Sequence, residues 1–145
     1  MRSLSELERR WAHEIFDAIY PAGVDPRLPY GVRDCDIDGY LDECMATWPM
    51  LTIIGFRATV FAVGLASIVL LRTWRTFSRL STDERVRVLT MLYANNLYVV
   101  RQLVILMKVT AGIVYGSTPK VRAPLMLGAI EGPKLYGAAR VAKET

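Results

Sequence analysis

Residues 3–21, SLSELERRWAHEIFDAIYP, alternate apolar and polar positions at helical spacing. Leu4, Leu7, Trp11, Ile15, Ala18 and Ile19 recur at three- and four-residue steps, which predicts one apolar stripe on a first helix. Ser3 or Ser5 can cap its start, and Pro21 and Gly23 end it. Residues 22–34 hold two prolines and two glycines and read as an irregular connection with turns at Asp25-Pro26 and Tyr30-Gly31. Asp34 or Asp36 then caps a short second helix over 36–48, with Ile37, Tyr40, Leu41 and Cys44 on one side.

The pattern changes at Pro49, which suits the first turn of a helix. From there LTIIGFRATVFAVGLASIVLLR, residues 51–72, is almost wholly apolar, and helical spacing carries on to about Leu80. Gly55, Ala58, Ala62, Gly64, Ala66 and Ser67 would let a neighbouring helix approach closely. In TWRTFSRL, Trp74, Phe77 and Leu80 face one way while Arg72, Arg75 and Arg79 face another. Ser81-Thr82-Asp83-Glu84 has capping-box spacing, the Ser81 hydroxyl accepting from the Glu84 amide and the Glu84 carboxylate from the Ser81 amide. A new helix therefore starts at 82, and residues 49–80 and 82–115 are expected to form a long helical hairpin. Val86, Leu89, Leu92, Tyr93, Leu97, Val100, Leu103, Val104 and Met107 give the second arm its apolar spacing, with a weak point at Asn95-Asn96 and a stop at Gly116. Thr118 and Pro119 open one last short helix to about Leu127. Beyond it periodicity is lost. The expected architecture is an all-α helical bundle over 1–127 built around that hairpin, with an extended C-terminal tail over 128–145.

Charge sharpens the division. Residues 1–50 hold five Lys/Arg and ten Asp/Glu, whereas residues 51–145 hold thirteen and four. The acidic front and basic back can attract each other or a partner. The basic residues sit singly in apolar helices and make no dense run with interleaved aromatics, so nucleic acid is not an expected partner. The apolar fraction of 52% lies slightly above the range of about 45–50% for soluble domains. Residues 50–71 are long enough for the ~20 residues a span needs, but Arg57 lies inside and the uncharged run 58–71 alone is too short. MRSLSELERRWAHEIF opens on mixed charges with no apolar core after a basic start and no twin arginine, which points to the cytoplasm. Cys35 and Cys44 then read as free thiols.

Catalytic constellations are sparse. His13 is the one histidine, with Glu14 and Asp17 its near carboxylates, and neither a triad nor a zinc spacing can be built on it. A small haem- or metal-carrying redox subunit would have only His13 and six methionines to rest on. Asp34, Asp36, Asp38, Asp42 and Glu43 lack the Gly-centred calcium-loop spacing. No G-x-S-x-G, P-loop or G-x-G-x-x-G occurs. A chain that is not itself an enzyme is expected. Arg57 and Lys108, each within an apolar arm, either reach solvent or a front-half carboxylate, or face an acidic partner surface.

FSRLSTDERVRVLTML (77–92), VRQLVILMKVTAGIVYGSTPKVRAPL (100–125) and FDAIYPAG (16–23) together resemble a small-subunit family that accompanies flavin-dependent GMC oxidoreductases, akin to gluconate 2-dehydrogenase subunit 3. A similar helical region precedes the flavin domain in some long-chain alcohol oxidases. The resemblance covers most of residues 12–127 and lies in spacing and residue type. It implies a non-catalytic accessory subunit carrying no cofactor of its own. FAD and catalysis would belong to a large flavoprotein partner in a hetero-oligomer acting on an alcohol, sugar or sterol. Arg57, Trp74, Phe77, Arg79, Tyr98, Arg101, Lys108 and Tyr115 are then the expected interface residues, since aromatics and Arg concentrate interface energy. The competing expectation is a single-pass or interfacial membrane protein with residues 50–71 as its apolar segment; contact with a membrane surface suits both.

Overall fold

The computed structural model describes residues 3–124, and among them the chain is all-α. In order, α1 is Glu6–Ile19, α2 Ile37–Thr47, α3 Met50–Leu70, α4 Thr82–Tyr93 and α5 Tyr98–Ser117; single 3₁₀ turns lie at Val32–Asp34 and Phe77–Arg79. Residues 119–124 are helical again. The expected tail at 128–145, and the last helix beyond 124, lie outside the described residues.

Caps decide most boundaries. Ser5 caps α1 and Ser81 caps α4, each with the reciprocal glutamate three residues on (Glu8 and Glu84). The Asp36 carboxylate accepts from the Gly39 amide at 2.9 Å and starts α2. Pro49 precedes α3 without a side-chain cap, and α5 follows Leu97 without one.

The long hairpin needs correction. Its first arm ends at Leu70, not near Leu80, because Arg72 turns into the left-handed region at φ 49°. The Ser67 hydroxyl donates to the Arg75 carbonyl at 2.7 Å and ties the following linker back to the last turn of α3. This path buries Phe77 and Leu80 in the core and leaves Trp74 outside. The second arm is two helices. Asn95 accepts the Leu97 amide at 2.8 Å through its side chain, an Asx turn that replaces the helical bond and separates α4 from α5.

Helix α1 is the centre of the fold, touching α3, α4, α5 and both 3₁₀ turns. Ile15 and Phe16 from α1 pack with Leu41, Met45, Ile53, Phe56, Phe77 and Met107. Trp11 lies on α3 directly over Gly64: a Cβ there would come within 2.3 Å of the indole ring. Phe61 meets the same indole edge-on, ring centres 5.6 Å apart. The predicted stripe on α1 is displaced by one position at its start. Leu7 faces solvent and Glu8 is fully buried in its place.

Candidate interaction surface

Glu8 is inside because two groups meet it there. The Arg57 guanidinium binds both its oxygens, Nε to Oε1 at 2.7 Å and a terminal nitrogen to Oε2 at 3.1 Å. The Ser5 amide donates to Oε2 at 2.8 Å. Burial alone would push this carboxyl up, but the Ser5 amide and hydroxyl and the Arg57 charge outweigh it and hold Glu8 below its ordinary range. The guanidinium stays 32% exposed and the carboxylate side chain 1%, so the charge is drawn inward by α1. Arg57 thus answers a front-half carboxylate. The spacing 4, 8, 11, 15, 18 was the signal for Glu8, since it fills the missing position of the α1 stripe.

A second tie escaped the sequence reading altogether. Arg85 of α4 is mostly buried, pairs with Glu14 of α1, and donates to the Phe77 and Ser78 carbonyls at 3.2 and 2.8 Å. Its guanidinium sits 5.9 Å from the Phe77 ring centre. Elsewhere in the front half, Arg9 meets Asp38 and Asp42, Arg33 meets Glu14 and Asp17, and His13 Nε2 lies 3.2 Å from Asp38. The His13 contact first, and then Arg9, pull the Asp38 carboxyl down. Among the described residues no group of three or more His, Cys, Asp or Glu is placed to hold a metal ion. Cys35 and Cys44 are free and buried. Burial pushes the Cys44 thiol up, and burial together with Cys44 pushes Tyr40 up to about 12.

The expected interface residues separate into three sets. Phe77 is in the core, and Tyr115 stacks on Tyr20 at 5.1 Å while donating to the Tyr30 carbonyl at 2.8 Å. Phe77 is therefore no surface anchor, whereas Tyr115 is half-buried and keeps part of its side chain at the surface. Arg57 is held by Glu8. Trp74, Arg79, Tyr98, Arg101 and Lys108 are exposed.

What faces solvent most unusually is α3. Its outward side runs Leu51, Ile54, Ala58, Phe61, Leu65 and Val69, all exposed and without one polar residue at that spacing. A surface helix normally carries charge on this face. Continuous exposed apolar surface of this kind is uncommon on monomeric soluble proteins. Beside it, between α3 and the start of α5, lies an apolar cleft of about 230 Å³ reached by Ala66, Val69, Leu70, Leu92, Val100 and Leu103. Both α3 (21 residues) and α5 (20 residues) are long and apolar enough to cross a membrane. Comparison with protein-family models, curated proteins and solved structures returns no match.

Proposed function

We propose that this chain is a non-catalytic helical accessory subunit that docks through the outward face of α3 onto an FAD-dependent GMC-type alcohol, sugar or sterol dehydrogenase or oxidase. One observation carries the docking: the unbroken exposed apolar stripe from Leu51 to Val69 on a helix whose other side is already buried. The flavoprotein class of the partner rests on the resemblance of residues 12–127. FAD belongs to that partner, and this chain supplies a preformed surface. Its location is the cytoplasm, with contact to a membrane surface. Obligate interfaces of this kind bury roughly 2,000 Å² or more in total.

A second reading, residues 50–71 as a membrane span, has the length of α3 in its favour. Against it, α1 lies along α3 through the Glu8–Arg57 pair and the Trp11–Gly64 contact, and so brings Glu6, Arg9 and Arg10 alongside the apolar helix. The test is purification of the tagged chain from its native host without detergent, followed by mass spectrometry and absorbance. A soluble yellow complex with a flavoprotein of about 50–60 kDa, a two-domain size, is the expected result. The triple substitution Ile54→Ser, Phe61→Ser, Leu65→Ser should release the flavoprotein. Recovery of a colourless chain, only in detergent and alone, would overturn the subunit reading in favour of the span.

A further inference from the structure

One end of the bundle departs from the rules for turns. Connections between helices are ordinarily polar. Here the α4–α5 turn puts Tyr93, Leu97, Tyr98 and Val99 into solvent, the last three 65, 66 and 67% exposed. The cleft lined by Leu70, Val69, Leu92, Asn95 and Val100 brings the last turn of α3 to the same end. Val69 is 76% exposed there, and the chain leaves α3 through Arg72 to Trp74, which is 96% exposed.

The charges at this end are cations in places that local physics disfavours. Arg72 holds φ 49° immediately past α3, where glycine is the usual residue and a side chain costs strain. Arg101 lies in the first turn of α5, where the helix dipole favours acid. Neither has a carboxylate partner among the described residues. Between Glu43 and Glu131 the sequence has only Asp83 and Glu84 as acids, against ten Lys and Arg. An anionic counterpart is therefore the complement of this end. Aliphatic side chains beside Tyr and Trp, with Arg at their edge, match the gradient from acyl chains to phosphates at a lipid headgroup layer.

We infer that this end of the bundle, Val69, Arg72, Trp74, Tyr93, Leu97–Val99 and Arg101, seats in the headgroup layer of an anionic membrane. The chain lies on the membrane and does not cross it. This deepens the membrane-surface part of the proposed function and rests on it, but it is independent of the flavoprotein.

The experiment uses the full chain and vesicles of phosphatidylcholine, with or without about 30% phosphatidylglycerol. Sedimentation with the anionic vesicles, and a blue shift of tryptophan emission lost in Trp74→Phe, are expected. Trp11 and Trp48 are buried or half-buried and should not report. The double variant Arg72→Gly, Arg101→Gln should bind about 25-fold more weakly, at about fivefold per cation near a charged surface. Arg72→Gly relieves the backbone strain, so this variant should melt no lower than the original and its loss of binding cannot be a loss of fold. Unchanged affinity in the double variant would overturn the inference. Loss of binding in Ile54→Ser, Leu65→Ser instead would also overturn it, moving the lipid contact to the flank of α3 while the membrane reading stands. No binding by the folded chain to either vesicle would sink both.

Discussion

The two halves of the molecule treat charge in opposite ways. Through α1 and α2, Arg9, His13 and Arg33 each lie against a carboxylate, and Glu8 and Glu14 reach across to Arg57 and Arg85 of the other half. In the second half the outward face of α3 is apolar, and Arg101 and Lys108 stand exposed on α5 with no carboxylate against them among the described residues. The first half is finished internally. The second packs against α1 and within itself, and leaves the outward side of α3 apolar and in solvent.

The contrast breaks most severely at the tie whose carboxylate is fully buried. Arg57→Ala leaves the Glu8 carboxylate inside without its cation, and should cost about 3–5 kcal/mol. A fall in Tm of more than about 10 °C is the expected reading by calorimetry. Acid should attack the same pair gradually. Glu8 is held below its unfolded value when folded, so its contribution is complete above the unfolded value and is lost as pH falls through the folded one. Stability should therefore decline below about pH 5, and Glu8→Gln should flatten part of that decline in denaturant titrations.

Gly64→Ala comes next. The new methyl would collide with the Trp11 ring on a backbone that cannot retreat, at about 1–3 kcal/mol. Ser81→Ala removes one half of the α4 cap and should cost about 1 kcal/mol, read by urea denaturation with unchanged m-value. The smallest effect is the sharpest test of the comparison. Leu65→Ser on the outward face of α3 should change stability of the isolated chain by less than about 0.5 kcal/mol. A cost of 2 kcal/mol or more there would mean that this face is already packed internally.

Local chemistry was readable wherever a cap or turn residue acts on its own neighbours. The α4 start at Ser81, the α2 start at Asp36 and the weak point at Asn95 all follow from side chains bonding to nearby backbone, which needs no knowledge of the fold. The end of α3 was not readable. TWRTFSRL keeps helical spacing, and only the Ser67–Arg75 bond and the burial of Phe77 divert it. Phe77, expected at the interface and found in the core, illustrates the matching limit for the surface. An aromatic side chain suits a core and a contact face equally, and composition does not tell which side it faces. Leu7 and Glu8 exchanged their expected places because a carboxylate 49 positions from its cation looks like a surface charge in any local window.

That separation of 49 residues also orders events in time. A ribosome adding about 5–20 residues per second finishes α1 at Ile19 roughly 2–8 s before Arg57 exists. The Ser5 amide, by contrast, is a partner only three residues from Glu8, and that bond needs no other helix. One carboxylate thus joins the most local contact of the fold to one of its most distant, closing the first turn of α1 with one hand and holding α3 with the other.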